Sequence, residues 1–516
     1  MRPLLRAPLI LAVVLVGAGC RTGSALRDLE RAPSHALAPD PEASLVQLVE
    51  RLGWREAEGY GLLDRGADSL DTRLALIHAA ECTIDVQTYL WHGDRAGTLL
   101  LNECLDAADR GVRVRLIIDD FQLEGGLKRA AALSFHENLE LRVFNPYLED
   151  GAAGRLLEVL GDFDRLDHRM HDKSMVVDGV VAVAGGRNIG DEYFGLGGEF
   201  DFRDLDLVVA GPVVDDLEAC FDEFWNSEYA VPVADLWHGI PADAAAHQDL
   251  RERLDRTLAA ADGVIGRRRA AHDETWVPAL ERLLAELVPG AGRVVRDSLL
   301  HSRGGLTGGG TGLMAAEIAR IAAEPGDEVW FVSAYFVPDD DFLAHLAEET
   351  ARGVELRILT NSLASTNQPL AHAYYAEERA RILATGARLH EIRVWGPTRT
   401  YYQSPGSVAE RLGLHGKAAV YGDHTVVVGS MNLDPRSMKL NTELGLVVES
   451  APLAERTRAA LARDFAAAGS WEVRTGEDGG LEWHAGELRR ETQPALSGWQ
   501  RFSTWFLGFL PLRGEV

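Results

Sequence analysis

Two short segments of the chain carry the same reactive side chains at the same spacing. HDKSMVVD begins at His171 and HGKAAVYGD at His415; a lysine follows two places on (Lys173, Lys417) and an asparagine 17 places on (Asn188, Asn432). Two imidazoles, two ammonium groups and two amides, with no cysteine or carboxylate cluster, suit phosphoryl transfer through a covalent histidine intermediate. One imidazole attacks phosphorus while the other protonates the leaving oxygen and then deprotonates the incoming nucleophile. The lysines and asparagines are donors for the charged phosphoryl oxygens. A solitary His-x-Lys on a strand reads as surface decoration, because most charged residues are solvated. Repetition with an equal histidine-to-asparagine interval reverses that reading and implies two halves of one active site.

These residues need elements to position them. Ser174 to Val177 and Ala418 to Tyr421 are small or apolar with β-branched members, which predicts buried strands on which His171 and Lys173, and likewise His415 and Lys417, share a face. AVAGGRN and VVVGSMN follow, and Gly185, Gly186, Gly429 and Ser430 let the backbone approach a bound group closely. Two acid-bearing strands come next, DLDLVVAGP from Asp204 and ELGLVVESA from Glu443, whose equivalent carboxylates are each placed to orient a histidine. Upstream, CTIDVQTYLW, a helix near 96–110 and VRVRLIIDD match EVWFVSAYFV, a helix near 341–352 and VELRILTNS, with turns at Gly111 and Gly353. Strand, helix, strand with short glycine turns predicts right-handed parallel crossovers. Each half is therefore expected to be an α/β sandwich, the histidine-bearing strands meeting across a pseudo-twofold interface with the site at the seam. The 516 residues accommodate two cores of roughly 150 to 200 residues each.

The paired motifs resemble those of the phospholipase D superfamily, His-x-Lys-x4-Asp trailed by a Gly/Ser-x-Asn turn. The first copy fits throughout, with His171, Lys173, Asp178 and Asn188; the second has Gly422 at the aspartate position and Asp423 one place later. Longer stretches, HRMHDKSMVVDG, GGRNIGDEYFG, TNSLASTNQPLAHAYYAEERARIL and GSMNLDPRSMKLNTELGLVV, are similar to the C-type cardiolipin synthases of Gram-negative bacteria. The resemblance implies two phospholipase D-like α/β/α domains and transfer of a phosphatidyl group from one phospholipid to the hydroxyl of another. Phosphatidylglycerol is the implied donor, with phosphatidylethanolamine or a second phosphatidylglycerol as the implied acceptor. It further implies His171 as nucleophile and His415 as acid/base, supported by Lys173, Asp178 and Lys417. Asn188, Asn432 and Ser430 are the implied phosphate binders, and Asp204 and Glu443 orient the imidazoles. Water as acceptor turns the same site into a phospholipase D, and Gly422 alone would support a non-catalytic lipid-binding protein. No metal motif is present, so no cofactor is expected.

The remaining sequence sets the context. The expected organisation is a signal peptide at 1–20, a tether at 21–45, a first domain at 46–230, a helical connector at 231–303, a second domain at 304–475 and a tail at 476–516. Arg2 and Arg6 precede an apolar run and then Gly17, Ala18, Gly19 and Cys20, which fits a secretory signal better than a membrane span. Small residues before Cys20 resemble a lipoprotein processing site, implying acylation there and stable anchoring by several chains. Arg21 is not the aspartate linked with inner-membrane retention. The expected location is the bacterial cell envelope, lipid-anchored and facing the periplasm, the outer membrane favoured over the inner. The glycine run at 304–312 lacks the Gly-Lys-Ser/Thr of a nucleotide loop and reads as a flexible connection. A net charge of −27, with no basic run longer than the GRRR at 266–269, disfavours nucleic acid as a partner. The expected partners are phospholipids and the membrane, with room for an accessory protein. Besides Cys20, Cys82, Cys104 and Cys220 have no metal-ligand spacing and read as buried free thiols, a Cys82–Cys104 disulfide being the alternative. Finally, Trp499, Phe502, Trp505, Phe506, Phe509 and Leu510 fall near one helical face, suited either to a membrane interface or to docking on the protein's own core.

Overall fold

The computed structural model describes residues 31–120, 130–147, 166–236, 243–261, 263–271, 273–299, 313–322 and 326–515. The signal segment with Cys20, residues 21–30 of the tether and the glycine run at 304–312 lie outside the described residues. Both predicted crossovers form. Thr83–Thr88, the helix Arg95–Asp109 and Arg113–Asp119 make one, and Glu328–Val332, the helix Asp340–Ala351 and Glu355–Thr360 the other, each with its strands paired in parallel. Gly111 and Gly353 close the helices at φ +98° and +94°, a conformation glycine adopts without a Cβ clash.

The two halves repeat one sheet order. From its outer edge, the first runs Ala230–Pro232, Leu139–Phe144, Arg113–Asp119, Thr83–Thr88, Ser174–Val177, Val181–Gly185, Asp206–Ala210 and Glu58–Leu63. The second runs Ser470–Thr475, Arg388–Ile392, Glu355–Thr360, Glu328–Val332, Ala418–Tyr421, Thr425–Gly429, Leu444–Glu449 and Val288–Arg296. The inner edges pair antiparallel, Glu58 opposite Gly290, so that one 18-stranded sheet passes through both halves. Alternation along the strands divides the core. Val426 and Val428 face a central cluster that also holds Leu207, Val209, Phe221 and Trp225 of the first half, whereas Val427 faces an outer cluster with Leu343 and Leu346. The central cluster, drawn from both halves, fixes their relative placement.

Two boundaries move. The connector is helical only as far as Ala285; Val288–Arg296 is a strand, the second half's counterpart of Glu58–Leu63. The tail does not begin after Thr475, because Leu481–Ala485 and Leu488–Arg490 extend the second half's sheet by a hairpin. Cys82, Cys104 and Cys220 are free thiols, so the Cys82–Cys104 disulfide is not formed. The aromatic segment forms the helix Gly498–Leu507, seated through buried Thr504; its large side chains stay exposed rather than docking on the core. Among the described residues no helix is long and apolar enough to cross a membrane.

Candidate active site

Both histidines lie in the extended residues that lead into Ser174–Val177 and Ala418–Tyr421, ahead of the strands rather than on them. Each is held by the opposite half. The His415 N–H donates to the Arg203 carbonyl (2.8 Å), and its Nδ1 lies 2.5 Å from Asp204 Oδ2. The His171 N–H donates to the Thr442 carbonyl (3.0 Å), and its Nδ1 lies 2.8 Å from Glu443 Oε2. The parallel pairing of Phe200–Arg203 with Arg411–Leu414 carries the first exchange. The preceding residues are gripped within each half: the Met170 N–H donates to Asp119 (3.0 Å) and the Leu414 N–H to Asn361 (2.9 Å). With both Nδ1 atoms committed to carboxylates, Nε2 is the nitrogen left for chemistry.

His171, His415, Asn188 and Asn432 line one cavity of about 450 Å³ at the seam, together with Tyr89, Tyr193, Tyr335 and Arg436. Tyr89 meets His171 edge-on at 5.0 Å between ring centres, and Tyr193 meets His415 at 5.1 Å. Asn188 Nδ2 donates to the Tyr193 hydroxyl (3.1 Å). The buried amide oxygens of Asn188 and Asn432 find no partner among the described residues, and unpaired buried polar atoms in a cavity are what a polar ligand satisfies. Arg436 Nη1 donates to Asp167 (2.9 Å) and offers a fixed positive charge to the cavity. The tyrosines and Arg436 were missed in the sequence, although Tyr89 and Tyr335 occupy matching places in VQTYLW and VSAYFV.

The lysines sit behind the histidines and do not line this cavity. Lys173 Nζ donates to the His171 carbonyl (2.6 Å) and stands 5.3 Å from the Tyr89 ring centre. Lys417 donates to the His415 carbonyl and lies 3.0 and 3.2 Å from Nδ1 and Nε2 of His415. Burial lowers both ammonium groups, Lys173 to about 7, where Lys417 adds repulsion, and Lys417 to about 8. Burial, reinforced by the lysine charges, also keeps both imidazoles below the ordinary histidine range.

The two acids differ. Burial opposes the charge of Asp204, yet His415, Lys417 and Arg187 outweigh it and hold the carboxylate well below its usual range. Arg187 backs this half directly, its Nη2 donating to the Asp204 carbonyl (2.6 Å) and its Nη1 to Asp206 Oδ2 (3.1 Å). Burial pushes Glu443 up to about 7, the lysines offsetting it only in part. Its backbone is gripped by another acid: the Glu443 N–H donates to Asp297 (3.2 Å) and the Asp297 N–H to the Glu443 carbonyl (2.9 Å). A side chain at Gly186 would collide with the Asp204 carboxylate, which accounts for that glycine.

Two expected roles change. Ser430, the counterpart of Gly186, is no phosphate binder: its fully buried hydroxyl donates to Glu443 and accepts from the Leu444 N–H (3.0 Å). Asp178 is not among the reacting groups, because it occupies a left-handed turn (φ +49°) where its carboxylate accepts the N–H groups of Glu81, Cys82 and Thr83 at 3.0, 2.8 and 2.8 Å. Gly422 holds the equivalent turn at φ +56°, its N–H donating to Glu328 as that of Asp178 donates to Thr83. Asp423 does not replace the lost carboxylate; it is exposed and pairs with His424. The sole metal-type cluster among the described residues, His92, Asp94 and Glu192, lies outside the cavity lining, and Asp94 is already engaged by the Gly97 and Asp191 N–H groups.

The family described as "Cardiolipin synthase, PLD-like domain" matches residues 74–225 and 318–465, one copy per half. The chain belongs to this family. It is 36% identical over 472 residues to cardiolipin synthase C of Escherichia coli (strain K12), spanning 87% of this chain and 94% of that protein. Cardiolipin synthase B of Shigella flexneri is 24% identical, over 77% of this chain and 78% of its own. The crystal structure of phosphatidylserine synthase from Haemophilus influenzae Rd KW20 shares the fold, with a TM-score of 0.53 and 12% identity over 81% of this chain and 89% of that one. Both matched segments carry a histidine, lysine and asparagine set, so the family's two domains correspond to the two halves that exchange acids at the seam.

Proposed function

We propose that this family member is a phosphatidyltransferase that makes cardiolipin from two phospholipids through a phosphatidyl-histidine intermediate. The observation that carries the proposal is the crossed arrangement: two imidazoles, each oriented by the other half's acid, open into one cavity that Asn188, Asn432 and Arg436 also line. Asp204 stays ionised beside His415, so on binding of an anionic phosphodiester the extra proton is best stabilised at His415. That makes His415 the acid/base and His171 the nucleophile. His171 Nε2 bonds to phosphorus, the bond from phosphorus to the headgroup oxygen breaks, and His415 gives its proton to that oxygen. The acceptor hydroxyl then attacks phosphorus, passing its proton to His415 while the P–N bond breaks. The asparagine N–H groups and Arg436 stabilise the charge on the phosphoryl oxygens, and the lysine charges act from behind the histidines.

The acceptor must carry a free hydroxyl, which phosphatidylglycerol has and the phosphatidylethanolamine headgroup lacks. Phosphatidylethanolamine therefore serves as donor, releasing ethanolamine, rather than as the acceptor expected above, and a second phosphatidylglycerol serves equally as donor, releasing glycerol. We further propose that acylated Cys20 holds the enzyme at the periplasmic side of the cell envelope. The test is product identity by mass spectrometry, with intact protein and its His171→Ala variant acting on mixed phosphatidylglycerol and phosphatidylethanolamine vesicles. Cardiolipin formed only with the histidine present is expected. Phosphatidic acid alone would assign the site to hydrolysis, with water as acceptor.

A further inference from the structure

The cavity is about 450 Å³, within the range of a site for one small ligand. It suits a phosphodiester and headgroup, and the two acyl chains of a phospholipid must rest elsewhere. Beside the cavity stands an apolar surface that nothing among the described residues covers. Along Gly498–Leu507 and the turn after it, Trp499, Phe502, Trp505, Phe506 and Phe509 recur at three- and four-residue intervals on one stripe. Trp499 is 73% exposed, Trp505 61% and Phe509 67%, whereas Thr504 on the opposite face is buried. A contiguous exposed aromatic stripe of this size marks an interaction surface.

The seating of the stripe places it at the cavity rim. Its helix packs on Pro369–Ala384, whose first turn supplies Leu370 and Ala371 to the cavity. Tyr374 donates to the Leu510 carbonyl and accepts the Leu512 N–H (3.0 Å), and Gln500 Nε2 donates to the Leu363 carbonyl (2.7 Å). The following turn, Arg513–Glu515, packs on Pro435–Lys439, the helix that supplies Arg436 and Ser437 to the cavity. Two cavity walls thus hold the segment while its aromatic side faces outward.

We propose that this stripe is a bilayer-docking surface, inserting tryptophan and phenylalanine rings at the lipid headgroup level beside the site where the headgroup enters. The choice of a bilayer over other apolar partners rests on reading the cavity as a phospholipid site. Tryptophan suits that interface, having an apolar body and a polar N–H. With a net charge of −27 the protein gains nothing from anionic lipid, so the attachment is apolar and insensitive to salt.

The test reads depth and turnover separately, on the full chain. In vesicles of bromine-labelled phosphatidylcholine, tryptophan fluorescence is quenched, and most of the quenching disappears in a Trp499→Phe/Trp505→Phe variant. It persists at roughly 0.5 M salt, where charge attraction is screened within several Å. In a Trp499→Ser/Trp505→Ser/Phe509→Ser variant, headgroup release from vesicle lipid falls roughly tenfold or more, as a lost aromatic anchor predicts, while release from detergent-dispersed lipid is unchanged. Equal quenching in the Phe variant overturns the proposal, as does equal loss on both substrates. A wild-type dimer in lipid-free solution that the Ser variant dissolves would assign the stripe to a second copy instead. Should the protein process no phospholipid, the quenching alone still decides the docking surface, and only the functional reading falls.

Discussion

Replacing each acid by its amide, Asp204→Asn and Glu443→Gln, separates two carboxylates that pseudo-symmetry makes equivalent. Asp204 is ionised and 2.5 Å from His415 Nδ1. A hydrogen bond to a charged partner contributes about 1.5–3 kcal/mol, or about 10- to 150-fold in rate at 1.4 kcal/mol per decade. An asparagine can also donate to Nδ1 and leave the proton on Nε2, the wrong tautomer, and a comparable change in a serine protease costs about 10⁴. Asp204→Asn should therefore lower kcat by about 10² to 10⁴. Glu443 is different: pushed up to about 7, it is about half protonated at neutral pH, and glutamine reproduces that neutral form. Its loss should stay within about tenfold, the lower end of the same range, and shrink as pH falls below 7, where the wild-type acid is itself neutral. The assay is headgroup release from detergent-dispersed lipid between pH 6 and about 8, either side of that pKa, with thermal unfolding to verify that both variants fold. Equal losses, or a larger loss for Glu443→Gln, would refute the electrostatic asymmetry between the halves.

Two further outcomes follow from the same geometry. Asp178→Ala strands three amide donors and should destabilise the protein by about 2–4 kcal/mol while folded enzyme keeps kcat within about threefold; calorimetry together with turnover checks this, and a large kcat loss at unchanged stability would return Asp178 to the chemistry. Lys173 and Lys417 titrate near 7 and 8, so their positive charge is present below those values and lost above them. The kcat/KM profile should then fall on the alkaline side of pH 8, and kcat less steeply because a bound phosphodiester holds the ammonium groups charged; a flat profile to about pH 10, the ordinary lysine range, would contradict this.

The paired His, Lys and Asn and both crossovers were legible because repetition and apolar runs survive without tertiary context. The acids were legible too, though not their exchange, since a strand does not disclose which half's histidine it will face. Val288–Arg296 escaped because Pro289, Gly290 and Gly292 read as a loop; a side chain at Gly292 would overlap the Tyr60 hydroxyl, so close packing, not turning, requires glycine there. The edge hairpin from Leu481 is polar and turns at Gly486 (φ +61°), which hides it in a charged tail. Ser430 and Asp178 were assigned by motif position, and in both cases the hydrogen-bond partners, invisible in a one-dimensional pattern, show buried structural roles.

The most direct measurement is a trap of the covalent intermediate. The His415→Ala variant, given a p-nitrophenyl phosphatidyl ester whose leaving group needs no protonation, should release one equivalent of nitrophenol and stall. Peptide mass spectrometry should then find the phosphatidyl group on His171. No adduct despite the burst, or an adduct on any other residue, would contradict a two-histidine site in which His171 is the nucleophile.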